Sequence, residues 1–151
     1  MTELTTKDER LAALAAALAR ATREGDVAVA DATRVLRHEL RRRNTKKALL
    51  APTRSQAAQE VIDRYTAEGR PIPTNNSPEA LHCDHVVALT PKHLQRLESQ
   101  ADWLAALPQL DEVVCVTAAE NYVLEQAERR GANGWEKYAV AAVDLTKPAP
   151  G

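Results

Sequence analysis

Four consecutive residues near the middle of the chain, His82-Cys83-Asp84-His85, include two side-chain types that hydrolytic sites use together. Asp84 offers a carboxylate, an oxygen ligand that suits a hard cation such as Mg²⁺. His85 offers an imidazole that can take a proton from water near neutral pH. Asn121, at the expected start of a helix, offers an uncharged amide oxygen as a second ligand. These residue types predict metal-assisted hydrolysis of a phosphodiester bond.

The strand that carries this tetrapeptide must meet a geometric condition. Neighbouring side chains on a regular strand point to opposite faces, so Asp84 and His85 can address one phosphate only if the strand bends, bulges or ends there. His82 shares a face with Asp84 and is either a supporting phosphate contact or a solvated edge histidine. Glu125 lies one helical turn after Asn121 and could add a carboxylate, although exposed Glu is common on helices.

Two segments resemble the HNH endonuclease family. HCDHVVAL resembles the first strand of that family, and VCVTAAEN resembles its second strand and the start of its helix. The resemblance covers roughly residues 80 to 140 and implies a ββα-metal fold. It also implies that Asp84 and Asn121 hold Mg²⁺ or Mn²⁺ while His85 acts as the general base. No motif like a zinc knuckle accompanies these segments, so we expect no structural zinc.

The sequence departs from the HNH pattern in two places. Pro91 to Leu110 has the pattern of a whole helix where many members have a loop, and it either extends the DNA-facing surface or packs internally. The middle Asn of the family has no clear counterpart. Asp111 is the nearest candidate to orient His85, or it is simply a turn residue. These departures leave an alternative open, namely an inactive HNH-like protein that binds DNA or another partner.

A basic cluster between Arg34 and Lys47 could attract nucleic acid. It has seven basic side chains against one acidic residue, whereas the whole chain has a formal net charge of -1. Such a cluster can bind a phosphate backbone without reading its sequence, and DNA is the expected partner. The alternative is an exposed helix end stabilised by the helix dipole. The candidate nucleic-acid-binding residues are Arg37, Arg41, Arg42, Arg43, Lys46 and Lys47.

The fold that must position these residues is predicted to be α+β and mostly helical. We expect N-terminal helices, then an HNH-like core with a helix inserted between its two strands. The predicted organisation is a helical region with basic cluster and linker at residues 1–76, a nuclease core at 77–145 and a tail at 146–151. The 151 residues, 44% of them hydrophobic, suffice for a packed core.

Local signals place the individual elements. Three N-terminal helices are predicted. The first runs from Thr6 to about Arg23, the second runs through the basic cluster, and the third runs from a cap at Thr53 towards Gly69. Short β-branched runs predict strands at Leu81 to Leu89 and Val113 to Val116. The inserted helix should begin at Thr90-Pro91 and stop at Pro108. Thr117 and Glu120 form a capping box for the helix that carries Asn121, and a last short helix is expected between Trp135 and Val143.

The remaining features bear on compartment. No apolar stretch approaches the ~20 residues that a membrane span needs, and the N-terminus lacks the apolar segment of a secretion signal. We therefore expect a soluble cytoplasmic protein with no membrane partner. Cys83 and Cys115 are isolated in the sequence and are most simply small buried residues, with a bridge between them as a lesser alternative.

Overall fold

A computed structural model describes the protein over residues 6–44, 48–74 and 76–147. Within these ranges the chain is mostly helical and has one small sheet, which confirms the expected α+β class. The elements are α1 (Lys7–Arg23), α2 (Val29–Asn44), β1 (Thr53–Arg54), α3 (Gln56–Ala67), β2 (Leu81–His85), α4 (Pro91–Arg96), α5 (Gln100–Leu110), β3 (Val113–Thr117), α6 (Ala118–Arg129) and α7 (Glu136–Val140), with a short 3-10 turn at Ala48–Leu50.

The N-terminal helix begins where its capping signal predicted. The hydroxyl of Thr6 accepts a hydrogen bond from the backbone N–H of Glu9 at 3.0 Å, which satisfies one of the free amides at the start of α1. The expected cap at Thr53 is wrong. Ser55 caps α3 instead, because Thr53 and Arg54 form β1 and the helix can start only after that strand ends.

The sheet has the strand order β1-β3-β2. β2 pairs antiparallel with β3, and β1 pairs in parallel with the other edge of β3. The sequence did not reveal β1, because two residues are too short to show a strand periodicity. The predicted first strand is shorter than expected, since β2 ends at His85 and the chain bends at Val86 and Val87.

The insertion between β2 and β3 contains two helices rather than one. Ser99 and Asp102 form a capping box that starts α5 after α4 has ended. Pro108 lies inside α5 and does not stop it, so that part of the prediction is wrong. The buried side of α5 carries Trp103, Leu107 and Leu110, whereas Leu104 is exposed. The insertion is therefore a packing element, as its apolar content allowed.

Contacts divide the chain into two compact units. The first comprises α1, α2 up to Arg43, α4 and α5. The second comprises the sheet with α3, α6 and α7, so α3 belongs with the strands although the sequence placed it in the N-terminal region. Two small cores flank the sheet of the second unit. One core contains Val86, Val114, Val116, Leu124, Tyr138 and Val143, and the other contains Ala51, Ala58 and Cys115.

No helix in the described ranges is both long and apolar enough to cross a membrane.

The predicted linker between Arg70 and Pro78 lacks helix and strand wherever the structure describes it.

His93 has a structural role in the first turn of α4. Its Nδ1 accepts a hydrogen bond from the backbone N–H of Thr90 at 2.9 Å, so this nitrogen must be unprotonated. Burial is the main cause that lowers the pKa of His93, and the charge of Arg96 lowers it further. The ring is therefore a neutral acceptor that caps the start of α4.

We expect His93 to make the protein less stable in mild acid. Its pKa is lower in the folded chain than the ordinary value of 6.5, so the unfolded chain binds the proton more readily. The stabilisation is fully present above the ordinary pKa of 6.5 and is lost as the pH falls through the lower pKa of the folded chain. The melting temperature should therefore drop more between about pH 7.5 and about pH 5 for the wild type than for His93→Gln. Equal pH dependence in both proteins would contradict this role.

Candidate functional site

The β2–β3 hairpin places Asp84 and His85 on opposite faces of the sheet. Each residue from Leu81 to His85 pairs one-to-one with a residue of β3, from Thr117 back to Val113, so no bulge interrupts the pairing. Side chains alternate along such a strand. Asp84 therefore shares the face of Val114 that α6 covers, and His85 shares the face of Cys83. Asp84 and His85 could address one phosphate only if the strand bent, bulged or ended there. Of these three possibilities the structure shows the last, since β2 ends at His85.

Asp84 is buried and already has a cationic partner. Only 5% of the residue is exposed. The ammonium Nζ of Lys137 lies 3.0 Å from Asp84 Oδ2, and the hydroxyl of Tyr138 donates a hydrogen bond to the same oxygen. The negative charge of Asp84 is thus balanced by a group from α7, which the sequence alone did not connect to it.

Lys137 is the centre of this arrangement. The residue is fully buried, with 0% exposure. Its Nζ also donates to the backbone oxygen of His85 at 2.8 Å and lies 3.2 Å from Oε1 of Glu128. An ammonium group has three protons, and here three oxygen acceptors surround it. This complete set of partners offsets the cost of burying the charge.

Tyr138 supports the same carboxylate as a neutral donor. Burial raises the pKa of Tyr138 far above its ordinary value, and the nearby charge of Asp84 raises it further. The hydroxyl therefore keeps its proton over the working pH range of the protein. We call Asp84, Glu128, Lys137 and Tyr138 the Lys137 cluster.

Asn121 belongs to a different neighbourhood of α6. Its side-chain nitrogen donates to Glu125 Oε1 at 3.4 Å, one helical turn later. α6 follows directly from Thr117, which pairs with Leu81, whereas Asp84 is three positions further along β2, about 10 Å away along the strand. The residue of α6 that reaches the Lys137 cluster is Glu128, near the other end of the helix.

None of the other supporting candidates is among the partners of Asp84 in the contacts described above. His82 is exposed, and Glu125 is exposed and pairs with Asn121. Asp111 forms the C-cap of α5 and an ion pair with Arg43 at 3.1 Å, within the first unit. Asp111 therefore lies in the turn that follows α5, in agreement with its interpretation as a turn residue.

The Lys137 cluster does not fit a divalent metal ion. Metal ligation by Asp84 would bring a second cation against the ammonium that already contacts Oδ2, with strong repulsion in a buried setting. No group of three or more His, Cys, Asp or Glu residues within the described part of the chain could hold a metal ion. The roles of Asp84 and Asn121 as metal ligands therefore stay predictions, and they require Lys137 to move.

No family model matches this chain. Nor does comparison with curated proteins or with solved structures yield a similar one.

The basic cluster divides into structural and outward-facing residues. Arg43 has 22% side-chain exposure and pairs with Asp8 and Asp111, and Arg37 donates from Nε to the backbone oxygen of Leu89 at 2.6 Å. Both therefore have roles within the first unit. Lys46 and Lys47 lie outside the described residues.

Arg41 and Arg42 are exposed candidates of the cluster, as is Arg37. The side chain of Arg42 is 74% exposed, and its ion pair with Glu39 is long, at 3.8 Å. Arg34 lies two helical turns before Arg41 and has 76% side-chain exposure. The buried residues Leu36 and Leu40 occupy the opposite side of α2. We call the side of Arg34, Arg37, Arg41 and Arg42 the α2 basic surface.

Proposed function

We propose that this protein binds nucleic acid through the α2 basic surface, with DNA as the expected partner, and does not cut it through Asp84. The observation that carries the proposal is the buried ammonium of Lys137 at 3.0 Å from Asp84. It gives the only carboxylate of the HNH-like tetrapeptide a structural partner. β2 thus resembles the first strand of an HNH nuclease in sequence, but its Asp84 forms an ion pair with Lys137 where that family would hold a metal.

The α2 basic surface supports the binding part of the proposal. Arginines at spacings of three, four and seven residues lie on one side of a helix, so their charges act together on one partner. Exposed guanidinium groups attract phosphate oxygens and can form paired hydrogen bonds with them. Arg34 and Arg42 form local ion pairs with Asp31 and Glu39, at 3.2 Å and 3.8 Å. A phosphate backbone can displace such exposed pairs, because each is weak.

A metal-dependent endonuclease is the second candidate function. The observation that favours it is the order of β2, β3 and α6, in which a hairpin is followed by a helix that packs on it. Asp84 lies on the face of the hairpin that α6 covers. This function would require Lys137 to leave Asp84, and His85 would then be the general base that the resemblance implies.

One pair of assays separates the two functions. A plasmid-nicking assay with Mg²⁺ or Mn²⁺ should show no cleavage, while a short labelled duplex should bind at low salt by fluorescence anisotropy. His85→Ala should leave the binding unchanged, as should His82→Ala as a matched exposed control.

Two outcomes would count against the proposal. Metal-dependent nicking that disappears in His85→Ala but persists in His82→Ala would establish the endonuclease instead. Absence of duplex binding at low salt would overturn the binding function itself.

A further inference from the structure

Two cysteines face each other across the hairpin. Cys83 on β2 is the register partner of Cys115 on β3, and no disulfide joins them in the structure. Their side chains lie on the same face of the sheet, because directly opposed residues in an antiparallel pair share a face. The two residues are 32 positions apart in the chain and have no motif spacing, so their pairing depends on the strand register.

The hydrogen bonds around the hairpin define the type of pair. The N–H of Ala118 donates to the oxygen of Ala80, and the N–H of Val86 donates to the oxygen of Glu112. Hydrogen-bonded pairs alternate with non-hydrogen-bonded pairs along an antiparallel ladder. The cysteine pair lies three positions along the ladder from each of these two hydrogen-bonded pairs. Because three is an odd number of steps, the cysteine pair is of the non-hydrogen-bonded type.

The backbone oxygen of Cys115 supports this assignment. It accepts a hydrogen bond from the N–H of Ser55, on the β1 side of β3, and so points away from β2. Non-hydrogen-bonded partners have Cα atoms about 4.5 Å apart. That separation lies within the range of about 4.4–6.8 Å that disulfides span. A bond between the two sulfurs therefore needs no strand to move.

The surroundings of the two thiols differ. Cys115 is fully buried against Ala51 and Ala58, whereas Cys83 is partly exposed. Burial, together with the smaller effect of the neighbouring Cys83, raises the pKa of Cys115 to about 11. Cys83 is consequently the thiol that a dissolved oxidant meets, and Cys115 is held beside it as the resolving thiol.

We propose that Cys83 and Cys115 form a reversible redox site, which a hydroperoxide oxidises to a disulfide between β2 and β3. The sulfur of Cys83 attacks one peroxide oxygen, the O–O bond breaks, and Cys83 becomes a sulfenic acid with release of water or an alcohol. The sulfur of Cys115 then attacks the sulfur of Cys83 and displaces water. The two thiols lose two electrons and two protons, and the peroxide gains both.

This site is independent of the proposed nucleic-acid binding. Its consequence is mechanical, because the disulfide would fix β2 to β3 next to Asp84 and His85. A dithiol reductant would reverse it by thiol–disulfide exchange.

The test uses the full chain with one equivalent of hydrogen peroxide, followed by alkylation of remaining thiols and mass analysis of intact protein and peptides. The wild type should lose two hydrogens, keep no alkylatable thiol and yield a Cys83–Cys115 cross-linked peptide. The oxidised form should melt on the order of 10 °C higher, and dithiothreitol should reverse both changes.

Two variants assign the roles of the thiols. Cys115→Ala should stop at a sulfenic acid on Cys83, which a dimedone probe captures. Cys83→Ser should leave Cys115 reduced, with oxidation at least about tenfold slower, because the remaining thiol is buried. Oxidation of the wild type to oxygen adducts on both thiols, or to disulfide-linked dimers alone, would overturn the proposal.

Discussion

Replacing Lys137 with Met should lower the free energy of unfolding by about 3–5 kcal/mol. The substitution keeps an unbranched side chain of similar length but removes the positive charge between Asp84 and Glu128. Asp84 would then be a buried carboxylate with the Tyr138 hydroxyl as its remaining partner in the Lys137 cluster. Removal of one member of a buried ion pair leaves the other charge uncompensated, and this is why the effect exceeds that of an ordinary surface change.

Thermal and urea unfolding of the Lys137→Met variant measure this loss. Lys92→Met is the matched control, because Lys92 is exposed on α4 and its replacement should change stability by less than about 0.5 kcal/mol. Adding Asp84→Asn to Lys137→Met should recover part of the loss, since the amide carries no charge and can still accept from Tyr138. A loss below about 1 kcal/mol in the single variant would show that the Lys137 cluster does not hold the fold in this way.

The same variant also bears on the second candidate function. If Asp84 can hold a metal once the ammonium is gone, Mn²⁺ should raise the melting temperature of Lys137→Met more than that of the wild type, since a ligand that binds only the folded state stabilises it. Our proposal predicts no change in the melting temperature of the wild type with Mn²⁺, because its ammonium already occupies Asp84.

Replacing Arg41 and Arg42 together with Gln should weaken binding to a DNA duplex by about 10- to 100-fold at ~0.1 M salt. Each phosphate contact that is lost reduces the slope of log affinity against log salt concentration by about 0.9, so the slope should fall by about 1.8. Arg41 and Arg42 are the appropriate pair because they are exposed, whereas Arg37 and Arg43 have bonds within the first unit. Fluorescence anisotropy over a range of salt concentrations measures both quantities.

The matched control replaces Arg129 and Arg130 with Gln. Both residues are exposed, and the substitution removes two positive charges from the C-terminal end of another helix, α6. It should change duplex affinity much less than the Arg41 and Arg42 variant. Equal weakening by the two variants would mean that net charge alone determines binding and would remove the α2 basic surface from the proposal.

Local sequence signals predicted the helices well where the cap and the helix interact within one turn. Thr6 with Glu9 and Thr117 with Glu120 are such cases, and both cap α-helices as expected. The signal failed at Thr53, where a long-range strand pairing with β3 displaced the cap to Ser55. Pro108 shows the same limit, because a proline in the last turn of α5 does not decide alone where the helix ends.

The contacts of the candidate site could be predicted from the sequence less well than the helices. The residue types and their order suggested Asp84, His85 and Asn121, but side-chain alternation separates the first two and the hydrogen bond to Glu125 occupies the third. No spacing in the sequence links Asp84 to Lys137, 53 residues later. Their contact arises only when α7 packs beside the hairpin.

What the sequence determined by itself was the local part of the protein: the capped helices, the two apolar strands, and the charge of the α2 basic surface. The tertiary structure decided which side chains meet, namely Lys137 with Asp84 and Cys83 with Cys115. The physical reason is range. Capping and helical periodicity act over three or four residues, whereas burial of a charge or a thiol depends on chain segments that only folding brings together.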